Sequence, residues 1–131
     1  MPAQAPHGII IVDHGSRRAE ANALLDTIAA HYRARTGAAI VEPAHMELAE
    51  PSIAQAFDRC VAAGAETVVI ALFFLSPGRH SREDIPQLAA EAAARHPGVH
   101  WYITPPLGQN PALIDLLHQQ VQSALQHPCG E

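Results

Sequence analysis

Four times along this chain, a short apolar run is followed by a segment of helical periodicity, and this alternation restricts the fold more than any other feature. The first run, residues 8–13 (GIIIVD), is a continuous β-branched run, as suits a strand buried on both faces of a parallel sheet. Ala21, Leu24, Leu25, Ile28 and Tyr32 then recur at helical spacing, and Gly37 supplies a stop. Residues 38–48 read as a second strand; Pro43 within it lacks an N–H and assigns it to a sheet edge. Pro51 opens a second helix with Ile53, Phe57, Cys60 and Val61 on one face, closed by Gly64. Residues 67–75 (TVVIALFFL) carry the clearest strand signal and lead into a loop holding Pro77, Gly78 and His80. Ser81 and Asp84 resemble a capping box ahead of a third helix marked by Ile85, Leu88 and Ala92. In residues 99–104, Val99, Trp101 and Ile103 alternate with His100, Tyr102 and Thr104, giving a fourth strand that ends at Pro105 and Pro106. Leu113, Leu117, Val121 and Ala124 mark the last helix.

This pattern predicts an α/β fold, a four-stranded parallel sheet with helices on both faces and right-handed crossovers. A length of 131 residues accommodates one domain, assigned to residues 8–126, with residues 1–7 a disordered lead-in and 127–131 a tail. Such a domain buries about two thirds of its unfolded surface and folds without a disulfide or structural metal.

Charge and composition exclude several classes. A net charge of −5 argues against nucleic acid as the main partner. All eight cationic residues are Arg, so no mechanism that needs a catalytic or phosphate-binding Lys is available. Cys60 and Cys129 give neither a metal-ligand spacing nor a disulfide framework. No apolar run approaches the ~18 residues of a membrane span, and no signal-peptide pattern opens the chain. The expectation is a reduced, cytoplasmic protein with no membrane partner.

Ligands of open α/β sheets bind beyond the carboxyl ends of the strands, where the strand order reverses. A flavodoxin-like order 2-1-3-4 puts that crevice between strands 1 and 3, and the loops after them carry His14 and His80. Gly15 permits close backbone approach after His14, and Ser16 is placed to cap the first helix. Glu47 emerges at the same edge, and His45 lies just behind it. Arg17, Arg18, Arg79 and Arg82, half the arginines in the chain, flank the two histidines. Guanidinium groups pair with carboxylates in a bidentate fork, which suits a substrate bearing several carboxylates.

The stretches His14-Gly15-Ser16-Arg17, Met46-Glu47-Leu48-Ala49-Glu50-Pro51-Ser52, Phe74-Leu75-Ser76-Pro77-Gly78-Arg79-His80 with Asp84-Ile85-Pro86, and Pro105-Pro106-Leu107-Gly108 resemble the small, single-repeat CbiX/SirB-type chelatases. The resemblance runs from about residue 8 to about residue 125 in matching order. It implies a chelatase-like half-domain of the class II fold. It also implies insertion of Co²⁺ or Fe²⁺ into sirohydrochlorin, a step in cobalamin or sirohaem synthesis, with no ATP or tightly bound cofactor. His14 and His80 match the family's metal-handling histidines. A single repeat of this length implies a homodimer with the cleft between protomers. Asp13 departs from the family, which often has Gly there; it stands ready to orient His14, accept a proton or alter metal preference.

Metal insertion needs a partly dehydrated divalent metal, a held macrocycle and removal of two pyrrole N–H protons. Neutral imidazole ligates Co²⁺, Fe²⁺ and Ni²⁺, and two such ligands leave positions open for exchange. With an ordinary pKa of about 6.5, imidazole also accepts protons near neutral pH. Ligand and base compete for one nitrogen, and which histidine takes which role stays open. Glu47 is a second candidate base or metal-entry ligand, while Ser16 and the four arginines are candidates to hold the macrocycle's acetate and propionate groups. Two other readings use the same residues: a metal or tetrapyrrole carrier without turnover, and phosphoryl transfer through His14 with Arg17 and Arg18 clamping phosphate.

Overall fold

The computed structural model describes residues 6–76 and 79–127, with the side chains of residues 79–82 outside that description. The elements run β1 (His7–Asp13), α1 (Ala19–Thr36), β2 (Ile40–His45), α2 (Ile53–Ala62), β3 (Thr67–Leu72), α3 (Arg79–Ala94), β4 (His100–Ile103), a single 3₁₀ turn (Leu107–Gln109) and α4 (Ala112–Gln126). All strand pairs are parallel and the sheet order is β2-β1-β3-β4, so the order reverses between β1 and β3 as the alternation predicts. The two continuous apolar runs become the central strands, with Ile10 opposite Glu42 on one side and Ile70 on the other. Pro43 sits in β2 at the edge, where its missing N–H costs no ladder bond to an outer strand.

Alternation along β1 sends its side chains into two cores. Ile10 and Val12 join Phe57, Cys60, Val68, Ile70 and Ile85 beneath α2 and α3. Ile9 and Ile11 join Leu25, Ala29 and Val41 beneath α1. No helix of the described residues is long and apolar enough to cross a membrane.

Beyond shifts of one or two residues at several element ends, four departures from the sequence expectation bear on the site. β2 ends at His45 because the backbone then turns onto the β1 loop, with the Met46 N–H donating to the Asp13 carbonyl (2.9 Å). β3 ends at Leu72, although the Phe73 N–H still reaches the Val12 carbonyl at 2.8 Å. Ser16 does not cap α1. Asn22 holds it upstream instead, accepting from the Ser16 N–H (2.9 Å) and donating to its carbonyl (2.7 Å), so the cap position falls to Arg18. α3 begins at Arg79, so His80 lies in the first helical turn rather than in a loop, and Ser81 is inside the helix rather than capping it. The breaker pair Pro77-Gly78 ends just before, and nothing between Arg79 and Asp84 opposes helix. The capping box that does form belongs to α2: Ser52 Oγ accepts from the Gln55 N–H (3.1 Å), and Gln55 Oε1 from the Ser52 N–H (2.8 Å).

Cys60 is fully buried beneath β1, where a Cβ at Gly8 would fall 2.8 Å from its sulfur. Burial, with a smaller contribution from the Glu42 charge, pushes the thiol up to about 12. Since the thiolate is the reactive species, Cys60 is expected to stay unmodified at pH 8 in a folded Cys129→Ser protein and to react fully in urea. Measuring thiol release of a chromogenic disulfide in both states checks this.

Candidate active site

Each loop at the carboxyl edge of the sheet is tied to its neighbour by backbone bonds that extend the ladder beyond the strands. The Glu47 N–H donates to the His14 carbonyl (3.2 Å), joining the β1 and β2 loops. The Thr104 N–H donates to the Ile70 carbonyl (3.0 Å), and the Thr104 hydroxyl accepts from the Leu72 N–H (3.0 Å), joining the β3 and β4 ends. Gly15 makes the first of these junctions possible. Its φ is +91°, and a Cβ there would lie 1.9 Å from the Glu47 carbonyl oxygen.

His14 is exposed at the switch point, its ring resting on Phe74 with centroids 4.4 Å apart and planes tilted by 30°. Phe74 is itself buried, so the contact seats the imidazole on a fixed floor while leaving it open to solvent. Glu47 is exposed beside it, one backbone hydrogen bond away. Arg17 and Arg18 are exposed and make no ion pair with any described residue. The Ser16 hydroxyl accepts from the Arg18 N–H (3.0 Å) in an exposed local turn, which leaves its O–H free to donate. The structure thus brings His14, Glu47, Ser16, Arg17 and Arg18 to one edge. The side chains of Arg79, His80 and Arg82 lie outside the described residues; their backbone forms the first turn of α3 after the β3 loop.

Asp13 does not orient His14. Its carboxylate Oδ1 accepts a 2.6 Å bond from Nδ1–H of His45, which is almost fully buried, while Asp13 is one-quarter exposed. The pair lies directly behind the metal-site candidates and fixes β1 to β2 by side chains as well as backbone. Asp13→Asn leaves a buried imidazole with a weaker, neutral acceptor and is expected to cost about 1–3 kcal/mol of stability, measurable by urea unfolding.

Four features of the site were not read from the sequence. Asn22 and Phe74 act on residues that were singled out, while Leu48 and Leu75 stand 58% and 66% exposed, one residue beyond Glu47 and Phe74. The available signal was a large apolar residue inside a loop at a strand's carboxyl end. Leu48 adds a second mark, a positive φ of 71° in a residue other than glycine. Among the described residues no group of three or more metal-ligating side chains comes together.

Comparison with known proteins converges on one family. The CbiX family model matches residues 8–124. The chain is 52% identical over 124 residues to the chloroplastic sirohydrochlorin ferrochelatase of Arabidopsis thaliana, covering 95% of this chain and 55% of that protein. It is 30% identical over 118 residues to a sirohydrochlorin cobaltochelatase of Priestia megaterium, covering 88% of this chain and 38% of that protein. The crystal structure of a cobalamin (vitamin B12) biosynthesis CbiX protein from Marinobacter aquaeolei VT8 superposes with a TM-score of 0.80 at 32% identity, covering 92% of this chain and 98% of the other. This chain therefore spans about half the length, or less, of these two curated relatives, but nearly the whole of the Marinobacter chain.

Proposed function

Because the chain belongs to the CbiX family, we propose that it is a sirohydrochlorin chelatase that inserts Fe²⁺ or Co²⁺, with Ni²⁺ as an alternative metal, without ATP or a bound cofactor. The observation that carries this reading is an exposed His14, seated on Phe74 and joined through its backbone to Glu47, at the switch point of a parallel sheet.

In this reading His14 and His80 receive the metal as substrate and hold it with open positions for exchange. Glu47, or an imidazole not engaged by the metal, accepts the pyrrole protons. Arg17 and Arg18, free of ion pairs among the described residues, bind macrocycle carboxylates together with Arg79 and Arg82. Ser16 binds alongside them, its hydroxyl accepting from the Arg18 N–H and keeping its O–H to donate to a carboxylate. The exposed apolar side chains of Leu48 and Leu75 supply contact for a macrocycle face. Residues 8–126 form the functional unit, which pairs with a second copy as a homodimer. Its setting is a reducing, cytoplasmic one, in keeping with the free thiol of Cys60.

The test is anaerobic incubation of sirohydrochlorin with Fe²⁺, Co²⁺ and Ni²⁺ in turn, following the macrocycle's absorbance with and without protein. Acceleration by the protein with iron or cobalt is expected. Equality with the protein-free rate for all three metals refutes the proposal.

A further inference from the structure

Asparagine is a poor helix former, because its amide competes for nearby backbone groups, yet Asn22 stands in the first turn of α1. Its side-chain partners lie upstream. Side chains of a helix lean toward its N-terminus, and Asn22 reaches back onto the loop that follows β1. One planar amide there holds both peptide groups of Ser16. Oδ1 accepts from the Ser16 N–H (2.9 Å), and Nδ2 donates to the Ser16 carbonyl (2.7 Å). The Asn22 backbone N–H donates in turn to the Arg18 carbonyl (3.2 Å), and the Arg18 N–H donates to Ser16 Oγ (3.0 Å).

Those bonds enclose Arg17 and Arg18. The backbone that carries both guanidinium groups is fixed at the Ser16 carbonyl, the Arg18 N–H and the Arg18 carbonyl. The two side chains stay exposed, without an ion pair to any described residue. Arg18 makes no side-chain capping bond at the start of α1, so among the described residues Asn22 is the side chain that ties this loop to the helix. The upstream half of the loop is held differently. His14 rests on Phe74, and its carbonyl accepts from the Glu47 N–H, so neither contact passes through Asn22. The loop is thus divided: His14 is seated by the β2 and β3 loops, and the arginine pair by Asn22.

We propose that Asn22 is a positioning residue for the macrocycle, holding the backbone of Arg17 and Arg18 where their guanidinium groups meet its carboxylates. The assignment rests on the chelatase reading above and adds to it a residue that acts through the arginines. A bidentate guanidinium–carboxylate pair is geometrically demanding. A loop fixed before the substrate arrives therefore binds more tightly than one that must be ordered on binding, because less conformational entropy is lost at that moment. Asn22 acts on macrocycle affinity, expressed in KM, and leaves kcat to His14 and the groups around it.

Steady-state rates of full-length Asn22→Ala test this, with sirohydrochlorin varied at saturating Fe²⁺ or Co²⁺. Alanine is the better helix former and adds no bulk, so α1 remains, as circular dichroism checks. The KM for sirohydrochlorin is expected to rise about tenfold, with kcat within about twofold of wild type. A chain carrying Arg17→Ala and Arg18→Ala gives the second reading. Adding Asn22→Ala to it is expected to change kcat/KM by less than about twofold, since Asn22 acts through side chains already removed. Gly37→Ala, which strains the far end of α1, is expected to lower the melting temperature without moving KM. Four results overturn the assignment: an unchanged KM in Asn22→Ala, a fall in kcat instead, a tenfold loss that persists without the arginines, or an equal rise of KM in Gly37→Ala. A wild type that accelerates insertion of no metal overturns the chelatase reading itself. Wild-type turnover with a KM indifferent to Asn22 overturns this inference alone.

Discussion

Replacing His14 by alanine is expected to lower metal insertion at least about tenfold while moving the unfolding midpoint little. The ring is exposed and its one ring contact among the described residues is Phe74, so its loss opens no cavity and leaves no buried polar group there. In the proposed mechanism its loss removes a metal ligand, a proton acceptor, or both in turn. A tenfold fall corresponds to about 1.4 kcal/mol of transition-state stabilisation. His80→Ala is expected to fall by at least as much, and the double variant by less than the product of the two, because ligands of one metal act as a unit. Steady-state rates beside thermal melts check this. Normal rates in both single variants would remove these histidines from the mechanism.

Gly15→Ala is expected to have the largest structural effect, for two separable reasons. The left-handed φ of +91° disfavours any side chain, and the Cβ would lie 1.9 Å from a backbone oxygen that no rotamer change can move. Together these cost roughly 2–4 kcal/mol, and relieving them means parting the His14 and Glu47 loops, so insertion falls as well. Gly37 is the control. It has φ +76° at the end of α1 with nothing within 4 Å of a built Cβ, so Gly37→Ala meets only the conformational cost, about 1–2 kcal/mol. Thermal denaturation of the two variants distinguishes the causes: equal losses would mean that the close approach at Gly15 carries no energy.

The sheet was legible in the sequence because its determinants are local. Residues 8–12 and 68–72 are apolar without interruption and became the central strands, and Pro43 marked the edge. The helix starts were less legible, because Ser16 and Ser81 both look like caps. Asn22, six residues from Ser16, decides the first case, and the ease with which residues 79–83 extend a helix decides the second. At the site, position along the chain was enough to single out His14 and Glu47, since the ends of adjacent parallel strands must meet. The Asp13–His45 bond spans 32 residues and depends on register, as does the seat of His14 on Phe74, so neither left a local signal. The spacing of Leu113, Leu117, Val121 and Ala124 marked the last helix, and α4 forms there, but with none of its residues buried against its own sheet.

Catalytic turnover separates a chelatase from a carrier that uses the same residues. The direct measurement mixes the protein anaerobically with a hundredfold excess of sirohydrochlorin and Fe²⁺ or Co²⁺, and counts metallated product per chain after subtracting the spontaneous reaction. The account predicts product far beyond one per chain, formed at a steady rate that His14→Ala loses. Product or bound macrocycle that stops at one per site, with no acceleration by either metal, would contradict it.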